Sequence, residues 1–129
     1  MQLVIPGQPI PKSRMTQAGK WNPRARATLE YQKFVAYNTL QWMHQNVEEA
    51  GRIYSAPELT VKRLYFYRKG NLHCDIDNLI KTILDGLQYA NLIVNDHRIT
   101  RLQDVCVIYG CEKPYAEIEL VVPDEGVES

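Results

Sequence analysis

The sequence predicts an α+β fold, a small single domain in which a mixed β-sheet carries helices packed mainly on one face. Three observations lead there. Segments rich in β-branched and aromatic residues cover 59–67, 105–109 and 116–122. Two stretches, about 28–47 and 77–89, repeat their apolar residues at helical spacing. The elements alternate as strand, helix, strand, helix and then strands, the pattern of a sheet with helices laid against it. A chain of 129 residues fits one domain spanning 1–129. A domain of this size buries roughly two-thirds of its unfolded surface, enough for a core without disulfides.

Leu3-Val4-Ile5 reads as the first strand. Pro6, Gly7, Pro9 and Pro11 then break regular structure, and residues 6–27 read as a long basic loop. Thr28 is the expected N-cap of the first helix, with Tyr31, Val35 and Trp42 on its apolar stripe, Asn38 interrupting it and Gly51 closing the region. Leu59 to Tyr67 is the second strand, followed by the polar turn Arg68-Lys69-Gly70-Asn71. Leu79, Ile80, Ile83, Leu84 and Leu87 give the second helix its stripe. Leu92-Ile93-Val94 is expected as a short buried strand that ends at the turn residues Asn95-Asp96. Two more strands flank a turn at Pro114, and Asp124 to Ser129 read as a frayed tail.

Composition narrows the function classes. Hydrophobic residues are 45% and charged residues 23%, the balance of a globular protein rather than a disordered one. No apolar run approaches the ~20 residues that span a bilayer, and the N-terminus lacks the basic and apolar regions of a signal peptide. The expected compartment is the cytoplasm, with no membrane partner. Cys74, Cys106 and Cys111 are odd in number and form no Cys-x-x-Cys pair, against a disulfide framework or a four-cysteine zinc site. Zinc through His73, Cys74, His97, Cys106 or Cys111 finds no recognised spacing. Ser13, Ser55 and Ser129 stand in no nucleophile context. Net charge is zero, yet residues 1–29 hold five bases (Lys12, Arg14, Lys20, Arg24, Arg26) and no acid, while residues 112–129 hold one base against six acids. Such an uneven distribution can present a basic face to phosphate, or can be two ordinary solvated ends.

The chemistry concentrates in His73-Cys74-Asp75-Ile76-Asp77-Asn78-Leu79-Ile80-Lys81. In an extended stretch, residues two apart point to one side, so Asp75 and Asp77 can aim two carboxylates at one point. Carboxylate oxygens suit hard cations such as Mg²⁺ or Mn²⁺. Lys81 and Asp85 follow Asp77 at helical spacing, and a lysine there can donate to a phosphate oxygen. Asp96, expected at the end of an apolar strand, supplies a third acid. Three such acids could hold one or two cations that activate water and neutralise the leaving oxygen. Structural readings stand beside these: Asp75 or Asp77 as helix caps, Lys81 in surface ion pairs with Asp77 and Asp85, Asp96 as a turn residue. An EF-hand is excluded, because Leu79 and Gly86 occupy ligand positions.

The run Asp75-Ile76-Asp77-Asn78-Leu79-x-Lys81, then Leu84-Asp85-x-Leu87 and Ile93-Val94-Asn95-Asp96-x-x-Ile99, resembles the RusA family of Holliday junction resolvases. Gly7-x-Pro9-x-Pro11-Lys12-x-Arg14 is similar to its N-terminal segment. The resemblance implies a Mg²⁺-dependent endodeoxyribonuclease of DNA recombination and repair, an α+β homodimer with two metal sites facing a four-way junction. It implies Asp75, Asp77 and Asp96 as metal ligands, Lys81 assisting at the phosphate, and Asn78 and Asp85 in support, with Mn²⁺ a possible substitute. The chain departs from the family by Asn95-Asp96 in place of an Asp-Asp pair, and by fewer bases before Asp75, where only Arg68 and Lys69 stand. The loop bases Lys12, Arg14, Lys20, Arg24 and Arg26, with Arg68 and Lys69, are the expected DNA contacts. The competing readings are a non-catalytic junction-binding protein of the same fold, a nuclease for other branched DNA, and a dimeric structural protein.

Overall fold

The computed structural model describes residues 1–13 and 22–123. In chain order these form β1 (Gln2–Pro6), α1 (Pro23–Gln45), α2 (Val47–Ser55), β2 (Leu59–Tyr67), α3 (Ile76–Tyr89), a 3₁₀ turn (Asp96–Arg98), β3 (Ile99–Leu102), β4 (Val105–Ile108) and β5 (Tyr115–Val121). The sheet is mixed, as expected. β5 runs antiparallel to β1 on one side and to β2 on the other. β3 and β4 follow one another along the far edge of β2, both parallel to it. The gap between them is bridged by Gln103 N donating to Val61 O (2.9 Å) and Leu64 N donating to Asp104 O (2.9 Å).

Period-two alternation gives the sheet one apolar face. Leu3 and Ile5, Leu64 and Phe66, and Ala116, Ile118 and Leu120 are buried, while Val4, Arg63, Tyr65, Tyr67, Glu117 and Glu119 keep access to solvent. The helices supply the matching apolar stripes: Leu79, Ile83 and Leu87 on α3, Tyr31 and Val35 on α1, and Ala50 and Ile53 on α2.

Several local expectations are corrected. α1 starts five residues before Thr28: Pro23 opens the helix, and Asn22 caps it by accepting from Arg24 N at 2.8 Å. Proline suits a first helical position because its missing N–H is unneeded there. Thr28 lies buried inside the helix, where its hydroxyl reaches Pro11 O (3.0 Å) and accepts from Ser13 N (3.1 Å). Gly51 ends nothing. It sits within α2, on an exposed side with open space around it, at the ~1 kcal/mol cost of glycine in a helix.

Leu92-Ile93-Val94 is not a strand. Asn91 takes a left-handed φ of 62°, its N–H donates to Gln88 O (2.9 Å), and Leu92 N–H donates to Leu87 O (3.1 Å). This is the Schellman closure of α3, and the apolar run is the hydrophobic contact that accompanies it. Leu92 and Ile93 are accordingly buried while Val94 is exposed. The edge strand β3, with only Ile99 partly buried, escapes the periodicity because nothing alternates there. The tail 124–129 lies outside the described residues.

Candidate active site

β2 ends against β4, and the chain then turns into the loop 68–75 that leads to α3. This loop is tied to the end of the sheet at several points. Arg68 N donates to Ile108 O (2.8 Å) and Cys111 N to Arg68 O (3.0 Å). Gly70 and Gly110, each at φ 77°, are joined by the Gly110 N to Gly70 O bond of 2.8 Å, and glycine adopts that backbone without a Cβ penalty. The Tyr109 hydroxyl accepts from Cys74 N at 3.2 Å, and its ring stacks on His73 at 4.2 Å with the planes 1° apart. The segment that delivers Asp75 therefore has a fixed path.

Asp75 is the N-cap of α3 at φ −71°, ψ 128°. Its main-chain carbonyl accepts from Asn78 N (3.2 Å) and Leu79 N (3.3 Å), but its side chain makes no cap hydrogen bond. An aspartate at this position ordinarily turns its carboxylate to the first-turn N–H groups. Here the carboxylates of Asp75 and Asp77 are both exposed and bond to nothing among the described residues. Lys81 is likewise exposed and, among the described residues, pairs with neither Asp77 nor Asp85.

Asp85 is engaged elsewhere. Its Oδ2 meets Lys12 Nζ at 2.9 Å and accepts from Gln32 Nε2 at 2.9 Å. Lys12 N also donates to Asn78 O at 2.9 Å. Asp85 is thus an anchor for the segment before α1, and the Lys12 ammonium, expected at DNA, is already held by a carboxylate. Asn78 contributes through its carbonyl, which also accepts from the Thr82 hydroxyl at 3.0 Å.

Arg68 is corrected as well. Read with Lys69 as a basic pair for phosphate, it is instead 8% exposed. Its Nε donates to Pro9 O (3.2 Å), and its Nη1 reaches Leu72 O (3.0 Å) and Cys74 Sγ (3.2 Å). A planar guanidinium can serve acceptors from two segments at once, which an ammonium on one stem does less well. Lys69 is exposed, and its main chain is held on both sides by the Gln8 amide (2.8 and 3.4 Å). Arg24 and Arg26 are exposed in the first turns of α1. The ties from Thr28 to Pro11 and from Lys12 to Asn78 bring that end of α1 beside the start of α3. Arg14 and Lys20 lie outside the described residues.

Asp96 opens the 3₁₀ turn, with Asn95 as its cap through a 2.9 Å bond from His97 N. It is not carried by a strand. Its carboxylate is half-exposed, with His97 Nε2 4.0 Å away. The turn sits where Leu59 pairs with Ile99, pinned by Arg98 Nη1 on Ala56 O at 2.7 Å. Asp75 instead lies beyond the other end of β2, where Tyr67 pairs with Ile108. α3 connects the two ends with 14 residues, a span of about 20 Å at 1.5 Å per residue. Among the described residues no three His, Cys, Asp or Glu side chains come together as a metal site. The expected convergence of Asp75, Asp77 and Asp96 does not occur within one chain, because a crossover between parallel strands puts the start and the exit of its helix at opposite ends of the strands.

Gln8, Gln32 and Tyr109, which hold the site's supporting loops, carried no signal in the sequence, since an isolated Gln or Tyr matches no spacing rule. No helix among the described residues is long and apolar enough to cross a membrane. The family model described as Endodeoxyribonuclease RusA matches residues 6–121. No curated protein matches the chain.

Proposed function

Since the chain belongs to the RusA endodeoxyribonuclease family, whose model covers residues 6–121, we propose that it resolves four-way (Holliday) DNA junctions in recombination and repair. The reaction depends on a divalent cation, Mg²⁺ with Mn²⁺ as a substitute, and the working form is a homodimer. The family supplies the nuclease class. The observation that supports this particular site is the freedom of its side chains: the carboxylates of Asp75 and Asp77 and the Lys81 ammonium are exposed at a fixed helix start, and none is spent on a cap or an ion pair among the described residues.

Two carboxylates at the positive dipole end of a helix make one part of a site for a hard cation. Asp96 of the same chain does not fit with them, so one chain offers an incomplete ligand set. Lys81, one helical turn beyond Asp77, is within reach of the same phosphate and neutralises charge on its oxygens. Arg24, Arg26 and Lys69 supply backbone contacts around it. Such contacts weaken steeply with salt, each phosphate neutralised contributing about 0.9 to the logarithmic slope.

The separation of Asp96 from Asp75 and Asp77 favours a second reading, a junction-binding protein without cleavage. Incubating a synthetic four-way junction and a matched linear duplex with Mg²⁺ or with EDTA, Asp77→Asn serving as control, decides between them. The resolvase reading expects symmetric, Mg²⁺-dependent nicks in the junction alone, and none with Asp77→Asn. Tight junction binding without nicks by the unsubstituted protein would leave the binding reading instead.

A further inference from the structure

Leu72 is 84% exposed, the most exposed large apolar side chain among the described residues, and it stands three residues before Asp75. Single apolar side chains on a surface are ordinary, but this one sits on a main chain held on both sides. Its carbonyl accepts from Arg68 Nη1 (3.0 Å), and Gly70 O before it accepts from Gly110 N (2.8 Å). Beyond it, the Tyr109 hydroxyl accepts from Cys74 N (3.2 Å) and donates to Cys74 O (3.4 Å). The next residue, His73, is also exposed, and Tyr109 backs its ring in a parallel stack. We propose that Leu72 and His73 are a wedge for the base pairs at the branch point of a four-way junction. Leu72 enters between two bases, and His73, backed by Tyr109, stacks on the base so released. The inference rests on the nuclease reading above and deepens it, because it says how the same site selects a branch point over a continuous duplex.

The chemistry suits that occupant. Leucine is among the apolar side chains that enter base steps and unstack them. A histidine ring is a platform for an unstacked base, and stacking tolerates any sequence because every base has a π-face. A fixed tip is needed, since a loose loop would fold its leucine back onto the protein surface. The distance also fits. Three residues reach at most about 10 Å, or roughly three nucleotides at 3.4 Å per step along a strand. The wedge therefore acts beside the phosphate that Asp75 serves. Exposed Lys69, three residues earlier with its main chain held by Gln8, can meet a phosphate on the other side. A contact between two copies of the chain fits less well. Lys69, Asn71, His73 and Asp75 around Leu72 are exposed and polar or charged, whereas the cores of protein contacts are depleted of charge.

The test compares two synthetic four-way junctions, one fully paired and one with an unpaired nucleotide beside the branch point on each strand to be nicked. An unpaired base costs least to displace, so it should replace the wedge. Single-turnover nicking with Mg²⁺ at saturating protein is measured for the parent, Leu72→Ser, His73→Thr and His73→Phe. Leu72→Ser and His73→Thr should nick the paired junction about tenfold more slowly and recover most of the parental rate on the unpaired one. His73→Phe should stay near the parent on both, because a phenyl ring also stacks. Melting temperature, sedimentation and Mn²⁺ binding, read from the free-ion electron spin resonance signal, should match the parent's. Should His73→Thr melt below the parent, Leu72→Ser decides alone. Equal slowing of Leu72→Ser on both junctions, or parental rates on both, would overturn the wedge and leave the nuclease reading standing. Loss of self-association in Leu72→Ser would overturn it too, by making Leu72 a contact between copies. A parent that nicks neither junction would remove the nuclease reading and the wedge with it.

Discussion

Gly86 faces Val35 so closely that a Cβ on the glycine would stand 2.4 Å from Val35 Cγ1. α1 and α3 touch there at the backbone, with Gln32 O only 3.1 Å from the same point. That approach sets how the helix carrying Asp77 and Lys81 lies on its neighbour. Gly86→Ala gains helix propensity of about 1 kcal/mol but forces a β-branched, fully buried side chain or a backbone carbonyl to move. Overpacking of this kind costs roughly 1–3 kcal/mol. The variant should melt below the parent in a thermal scan. A melting temperature at or above the parent's would mean that the helices separate without penalty.

Tyr31 carries a hydroxyl buried without a partner among the described residues, and burial pushes its ionisation well above the ordinary tyrosine range. Tyr31→Phe removes a polar group that gains nothing in the fold, so stability should hold or rise by up to about 1 kcal/mol. The folded state keeps the phenol neutral while the unfolded chain ionises it. This residue's contribution is therefore complete below the unfolded value of about 10 and fades as pH rises above it. The advantage of Tyr31→Phe over the parent should thus widen in alkaline unfolding titrations above that value.

Lys12 and Asp85, about two-fifths and a quarter exposed, should show a coupling of about 0.2–1 kcal/mol in a double-mutant cycle. Because Lys12 is already paired, Lys12→Ala should leave the salt dependence of junction binding nearly unchanged. Lys69→Ala should lower that slope by about 1. Equal losses from both would put Lys12 at the phosphate.

Arg68→Ala should act on stability and on cleavage together. It strips a donor from the carbonyls of Pro9 and Leu72, and leaving the buried Pro9 acceptor unsatisfied costs about 1–3 kcal/mol. It also loosens the loop that ends at Asp75. Junction affinity of the folded variant should stay close to the parent's. A selective loss of affinity at unchanged melting temperature would return Arg68 to the DNA-contact role.

Lys81→Ala should lower turnover far more than affinity, since an ammonium beside developing phosphate charge matters most in the transition state. Single-turnover rates and binding isotherms on the same junction separate the two. Losses of equal size would make Lys81 a binding residue only.

What the sequence alone determined is whatever local chemistry determines. The span of β2 was read residue for residue and α3 to within one, because the β-branched and aromatic residues of Leu59–Tyr67 favour a strand and the Leu79, Ile83, Leu87 stripe repeats at helical spacing. The Asp-x-Asp-Asn run and Lys81 identified the family, since their spacing is fixed along the chain. Short-range reading failed where tertiary context assigns the role. Leu92-Ile93-Val94 is apolar because it covers a helix end, Arg68 is basic because it bridges the carbonyls of Pro9 and Leu72, and Lys12 is basic because Asp85 faces it. Above all, the linear order set Asp96 nineteen residues after Asp77 and left its direction open. The parallel pairing of β2 with β3 decides it: α3 must run back along the sheet before β3 can begin, and its full length therefore stands between acids that the sequence read as one site.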